Sequence, residues 1–303
     1  MSRAKILIIQ RRSGIGDMCA FLPFIRKISE IRKNYQITIL TSKKSKSDQL
    51  LNNDPDINNI FFYEDYKNIF KLFTFFRKNQ FKQVYIFHYS LRLFLLSVIS
   101  GIKEVFIYGL FKKNKNIIKE ARNFTLKSLK IKKSEHSFLC KIYTKNPSLI
   151  RENKIVIGIG GSGYNKKWPI KYFQHLIEKI NLRKKYIFYL AGGLEEKLDA
   201  DHIRKAFPNI EIVSMCEVTI SESIEIIKDA KLYIGNDTGF MHICGSLGIK
   251  SFGLFGDTPV NYVEYNDLIL PIIPNNYQNV GHDSLAMNKI SVDHVFNQIE
   301  KFI

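Results

Sequence analysis

The chain has 303 residues, 45% of them hydrophobic and 24% charged, the balance of a soluble globular protein with one large or two medium cores. No apolar run reaches the ~18 residues that a membrane span needs, and the richest, Leu91–Ile102, is short and carries Arg92. The net charge of +18 lies wholly in one half: residues 1–150 hold 29 Lys and Arg against 10 Asp and Glu, residues 151–303 hold 17 against 18.

A field of that sign suits nucleic acid, an anionic membrane face or a phosphorylated acceptor. A composition rich in Lys, Asn, Ile and Phe offers a plainer source, solvated surface lysine. The start, MSRAKILIIQRR, has no long apolar segment and no cleavage site, so a cytoplasmic location is expected. Cys19, Cys140, Cys216 and Cys244 are widely spaced without a CxxC pair, which indicates neither a zinc site nor a disulfide framework.

In chain order, Lys5–Gln10 reads as a buried strand, Arg11–Asp17 as a glycine loop and Met18–Lys33 as a helix. Strands follow at Gln36–Leu40, Ile57–Tyr63, Gln83–Phe87 and Glu104–Gly109, with a polar helix or loop through Leu51 and helices at Asp65–Lys78 and Leu91–Ser100. The basic stretch Lys112–Leu149 reads as one or two helices with loops. A second series opens with Lys154–Ile159 and the loop GGSGYNKKWP, then a helix at Lys171–Asn181. Strands at Lys185–Leu190 and Ile210–Val213 alternate with helices at Leu194–Phe207 and Ser221–Asp229. Asn266–Ile273 is weakly extended, and Ser291–Phe302 is a terminal helix.

This alternation predicts an α/β protein of two doubly wound Rossmann-like domains, residues 1–150 and 151–303, facing a central cleft, with the boundary near Asn146–Glu152. Ligands in such sheets bind at the carboxyl ends of strands. The loops Ser13–Asp17, Gly160–Lys167, Gly192–Glu196 and Asn236–His242 all fall there.

The stretch KLYIGNDTGFMHICGSLGIKSFGLFGDT, residues 231–258, carries the most chemistry. It reads as strand, tight turn, helix, strand, with Phe240, Ile243, Cys244 and Leu247 on one helix face and Asp237 or Thr238 as N-cap. Gly248 ends the helix. Backbone N–H groups at Thr238, Gly239 and Phe240 then form an anion site at a positive helix end, and Gly239 admits a phosphate closely. An ordinary capped crossover helix accounts for the same pattern.

No GxGxxG, GxxxxGK[ST], HExxH or GxSxG occurs. The carboxylate pairs Asp54/Asp56 and Asp199/Asp201 lie in a predicted turn and a predicted helix, and no metal is expected.

In sequence order stand Gly16-Asp17 and Pro23, then Lys166-x-Trp168-Pro169 and Ala191-Gly192-Gly193-x-Glu195. Gly235-Asn236-Asp237-Thr238-Gly239-x-x-His242 and Phe255-Gly256-x-Thr258 follow, and the chain closes on Met287-x-x-Ile290-x-Val292-x-x-Val295. Through them nearly the whole chain resembles the bacterial heptosyltransferase family, which transfers heptose from ADP-heptose to lipopolysaccharide core. Pro259 follows Thr258 directly, where the family has one residue between.

The resemblance implies a GT-B glycosyltransferase that inverts the anomeric carbon, needs no metal or other cofactor and binds the nucleotide sugar in the C-terminal domain. It implies phosphate contacts from Lys166, Asp237, Thr238, Gly239 and His242, with Gly161 and Ser162 completing the donor set. Glu195 is the implied partner of the ribose hydroxyls, and Ser214–Thr219 is expected to wall the base pocket. Asp17 is the implied base for the acceptor hydroxyl, on a loop with Ser13, Gly14 and Gly16; the local sequence by itself favours Asp17 as a helix cap, and the resemblance reverses that preference. Expected partners are ADP-heptose, a lipopolysaccharide core or other surface glycan, and the anionic cytoplasmic face of the inner membrane, with peripheral attachment there.

Other readings are transfer from another nucleotide sugar, a nucleotide-sugar epimerase, and a nucleic-acid-binding protein. The last lacks the aromatic–basic interleaving and the helix-turn-helix that such proteins show.

Overall fold

Short runs of branched aliphatic residues with almost no charge form parallel strands buried on both faces. In β1 (Ala4–Ile9) the side chains of Ile6, Leu7, Ile8 and Ile9 are fully buried. This computed structural model describes residues 3–66, 68–108, 116–132, 137–147 and 153–303. The chain forms two compact units, Met1–Lys141 and Ile142–Ile303.

The first unit is a parallel sheet of β1, β2 (Tyr35–Thr41), β3 (Ile57–Phe62), β4 (Gln83–Ile86) and β5 (Glu104–Ile107), in the order β3-β2-β1-β4-β5. Its helices are α1 (Ile15–Ile31), α2 (Ser47–Leu50), α3 (Ile69–Asn79), α4 (Leu91–Ile99) and α5 (Ile117–Leu129). Leu7, Ile9 and Leu40 with Leu72, Phe75, Phe76, Leu93 and Leu96 form the core beneath α3 and α4.

The second unit is a parallel sheet of β6 (Lys154–Gly158), β7 (Ile187–Ala191), β8 (Ile212–Ser214), β9 (Leu232–Asn236), β10 (Lys250–Leu254) and β11 (Ile269–Ile272). Their order is β11-β10-β9-β6-β7-β8. The helices are α6 (Ile170–Arg183), α7 (Lys197–Ala206), α8 (Ile220–Ile227), α9 (Gly239–Ser246) and α10 (Val292–Ile299). Trp168 anchors this core: its indole N–H donates to the Ile290 carbonyl at 2.8 Å, and Phe173 meets the ring edge-on at 4.9 Å.

Strand order reverses between β1 and β4 in the first unit and between β6 and β9 in the second. At such a switch point the two following loops diverge and leave a crevice at the carboxyl ends of the strands.

Most elements match their sequence pattern to within a few residues, and some differ for physical reasons. α1 begins at Ile15, not Met18, because the Asp17 carboxylate reaches back and accepts the Gly14 N–H at 3.1 Å, the one half of a capping box that a glycine N-cap allows. Pro23 sits inside that helix without an N–H for the Cys19 carbonyl. The Cys140 thiol donates to that carbonyl at 3.6 Å. Residues 194–196 form a separate 3-10 turn before α7 rather than its first turn. Of the Lys112–Leu149 stretch, α5 is described, and residues 112–115, 133–136 and 148–149 lie outside the described residues. So do Gly109 and residues 148–152 of the expected boundary.

The Asp54/Asp56 pair has a structural role. Arg26, 8% exposed, bonds the Asp54 carboxylate at 2.6 Å and the Lys141 carbonyl at 2.5–2.7 Å. Asp56 stands 3.6 Å from the same guanidinium. Asp201 of the other pair faces Arg204 at 3.6 Å on α7.

Candidate functional site

In the second unit β6, β7 and β9 are neighbours, so the loops that follow them share one sheet edge. Two glycines make the strands fit. A Cβ on Gly158 would lie 1.8 Å from the Tyr233 hydroxyl, and one on Gly235 would lie 2.4–2.5 Å from the Gly158 backbone. The close approach lets the fully buried Tyr233 donate to the Asn236 carbonyl at 2.7 Å, with the Thr238 hydroxyl 3.4 Å away. Burial drives the Tyr233 phenol well above its ordinary pKa, so it remains a donor.

Asn236, fully buried, ties the loops together. Its amide nitrogen donates to the carbonyls of Ile159 and Gly160 at 3.1 and 2.9 Å, and its oxygen accepts the Trp168 N–H at 2.9 Å. The loop that carries Gly161, Ser162 and Lys166 is thereby fixed at both ends against the turn into α9.

Thr238, not Asp237, is the N-cap of α9, and its side chain makes no capping bond. The first-turn N–H groups of Gly239, Phe240 and Met241 therefore keep their capacity for an anion. Beyond the helix Gly248 takes the left-handed conformation, φ +77°, that closes helices.

Lys166 and Lys167 differ. Lys167 Nζ pairs with Glu196 at 2.6 Å, whereas Lys166 has no carboxylate partner among the described residues. Gly161 keeps the loop tight, since a Cβ there would meet the Lys167 side chain at 2.9 Å. Ser162 is exposed.

On the β7 loop, Glu195 is exposed, while Glu196 is 4% exposed and accepts the Gly193 N–H at 2.7 Å. Glu196 thus braces two loops, a role the sequence reading missed. A glycine three residues ahead of a glutamate was the available signal. The Ser214–Thr219 loop reaches the same edge, with the Cys216 sulfur 3.4 Å from where a Gly192 Cβ would stand. Burial raises the Cys216 thiol above its ordinary pKa, so it is not a reactive thiolate.

His242 lies inside α9, 8% exposed. Its Nδ1 is 2.6 Å from the Tyr265 hydroxyl and its Nε2 3.4 Å from Asp237, with the ring stacked on Tyr265. These contacts make it an orienting group for Asp237. The strand order and the Asn236 bonds set the loop of Lys166 beside the turn that carries Asp237, Thr238 and Gly239, and His242 touches Asp237 from within α9.

In the first unit, the loop after β1 holds the remaining expected residues. Asp17 Oδ1 accepts from Arg12 Nε at 2.6 Å and Oδ2 from the Gly14 N–H at 3.1 Å. A Cβ on Gly14 would stand 2.9 Å from Oδ2, so glycine suits the cap. Each carboxylate oxygen keeps a further lone pair for a hydroxyl. Ser13 is exposed and Gly16 half-buried, and the Arg11 guanidinium lies 4.4 Å from the Tyr63 ring centre. Across the switch point, His88 follows β4; desolvation, then the charges of Arg11 and Arg12, hold its imidazole below the ordinary pKa.

A family model described as glycosyltransferase family 9 (heptosyltransferase) matches residues 79–292. The chain belongs to this family. Lipooligosaccharide heptosyltransferase 2 of Campylobacter jejuni subsp. jejuni serotype O:6 is 30% identical over 124 residues, 39% of this chain and 39% of that protein. The Haemophilus influenzae protein of the same name is 23% identical over 141 residues, 44% of this chain and 40% of that one. These matches span about 40% of the length of the curated relatives.

Among solved structures, E. coli ADP-heptose lps heptosyltransferase II is 18% identical with a TM-score of 0.77, covering 98% of both chains. E. coli heptosyltransferase WaaC with ADP is 14% identical, also at 0.77, covering 99% of this chain and 100% of that one. The fold of this family member is therefore that of the solved heptosyltransferases.

Proposed function

We propose that the chain is an inverting glycosyltransferase that moves a heptose from ADP-heptose to a hydroxyl of a lipopolysaccharide core or a related surface glycan. Membership of family 9 supports sugar transfer. The observation that carries the donor assignment is the Asn236 tie, which holds the Lys166 loop against the open N-terminus of α9. Similarity to proteins named lipooligosaccharide heptosyltransferase 2, and to a structure solved with ADP, supports the donor and acceptor classes.

The leaving group is a nucleoside diphosphate. Its growing negative charge meets the Lys166 ammonium and the N–H groups at Gly239, groups that are fixed before reaction. Asp17 takes the proton of the acceptor hydroxyl while that oxygen bonds to the anomeric carbon. The carbon–oxygen bond to the diphosphate breaks as the new one forms, so the configuration inverts and ADP departs. Protein groups alone neutralise the diphosphate in this scheme. Glu195, exposed beside the site, accepts from ribose hydroxyls. The enzyme works at the cytoplasmic face of the inner membrane, where its acceptor is anchored.

Titration calorimetry with ADP, GDP and UDP tests the donor assignment. ADP should bind, and Lys166→Met should weaken it by about 10–100-fold, the loss of one charge-assisted contact. Lys167→Met should change affinity less, because its charge is already paired with Glu196. Preference for GDP or UDP, or an unaltered Lys166→Met affinity, would overturn the assignment.

A further inference from the structure

Half of the strongly exposed large apolar side chains among the described residues lie on two neighbouring helices of the first unit. On α3, Ile69 and Phe70 are 41% and 78% exposed; on α4, Leu91, Leu95, Val98 and Ile99 are 48–67% exposed. The α4 positions follow the spacing i, i+4, i+7, i+8 and so form one stripe. α3 and α4 pack side by side on the same face of the sheet, with Leu72, Phe75, Phe76, Leu93 and Leu96 turned inward. The outer stripe therefore has no partner in the core. Scattered apolar side chains on a surface are ordinary, but a concentration on one face marks an interaction site.

The two helices and the segments between them carry charge of one sign, and Glu104 is the first acid that follows them. Residues 69–103 contain six Lys and Arg and not one Asp or Glu. Three of the cations, Arg77, Lys82 and Lys103, line a cavity of about 440 Å³ beside the carboxyl ends of α3 and α4, with Gln80, Phe81, Ser100 and Gly101. None of the three has a carboxylate partner among the described residues. Ser100, 8% exposed, contributes a hydroxyl with no hydrogen-bond partner among the described residues. A pocket with three unpaired cations and a free hydroxyl fits a phosphate group.

We infer that the outer face of α3 and α4 docks on an anionic phospholipid surface, with the apolar stripe entering the interfacial layer and the Arg77–Lys82–Lys103 pocket receiving a lipid phosphate. The combination of aliphatic stripe and flanking cations is that of an interfacial helix. A second copy is disfavoured by charge, because a twofold interface would set one acid-free face against another. Aliphatic side chains have no use on a nucleic-acid surface, which is read with stacking rings and phosphate-facing cations. The inference rests on the membrane location proposed above and is independent of the sugar chemistry.

Co-sedimentation of the full chain with vesicles tests it, using phosphatidylcholine alone and phosphatidylcholine mixed with phosphatidylglycerol. The wild-type chain should sediment with the mixed vesicles, not with phosphatidylcholine alone, and salt should reduce the bound fraction. The double substitution Phe70→Asp and Ile99→Asp should lower partitioning at least about 10-fold by removing the inserted area and adding like charge. Circular dichroism and ADP affinity should stay unchanged, since both positions are exposed. Arg77→Gln, Lys82→Gln and Lys103→Gln together should flatten the salt dependence. A wild-type chain that ignores both vesicles overturns the membrane location as well as this surface. Wild-type binding that the double substitution leaves intact overturns this surface alone. A wild-type dimer that the double substitution turns into a monomer assigns the face to a second copy and overturns the inference.

Discussion

Asp17→Asn is expected to lower turnover by about 10²–10⁴-fold, the contribution of a positioned general base, while folding and ADP affinity stay near wild type. Asparagine separates the two roles this carboxylate can have. Its side-chain oxygen still accepts the Gly14 N–H, the bond that fixes the start of α1. The pairing with Arg12 is lost, but that contact is partly exposed, with side chains 42% and 29% accessible, and such pairs contribute little stability. What asparagine cannot do is take a proton. If Asp17 serves only as a cap, turnover should survive. Steady-state kinetics beside a urea titration read both quantities, and full turnover in the variant would remove Asp17 as the base.

Arg26→Ala is expected to reduce stability by about 3–5 kcal/mol, the usual cost of stripping one partner from a buried ion pair. The Asp54 side chain is 1% exposed, and the guanidinium that meets it also bonds the Lys141 carbonyl twice. Removing it leaves a buried carboxylate that keeps the Asp56 N–H at 3.0 Å but has lost its cation. Arg26→Lys should recover only part of the loss, because an ammonium cannot fork between the two carboxylate oxygens and the carbonyl. Urea unfolding of the wild type and both variants checks the order. A loss below about 1 kcal/mol for Arg26→Ala would show the pair to be no more than a surface contact.

The alternation of strands and helices was legible because both kinds of element bury an apolar face with its own period. Lys5–Gln10 and Lys154–Ile159 read correctly as buried strands, since a strand covered on both faces has no polar side to show. The start of α1 was not legible. Gly14 has no side chain to announce a cap, and the capping carboxylate lies inside the helix at Asp17.

That the 160–167 loop lies beside the turn into α9 followed from strand order once both loops were placed at carboxyl ends. What holds them did not follow. Asn236 reads as a turn residue, and only folding brings Trp168, Ile159 and Gly160 within reach of its amide. Glu195 and Glu196 are adjacent and chemically identical, and the direction of a 3-10 turn decides which is buried. His242 meets Tyr265 across a separation of 23 residues, which local pattern cannot reveal.

Product analysis after incubating the full chain with ADP-heptose and a heptose-accepting lipopolysaccharide core, with Asp17→Asn alongside, tests inverting sugar transfer. One ADP should be released per sugar joined to the acceptor, with the anomeric configuration inverted, and almost none with Asp17→Asn. An altered sugar still attached to its nucleotide, or a joined sugar of retained configuration, would rule out inverting transfer by this chain.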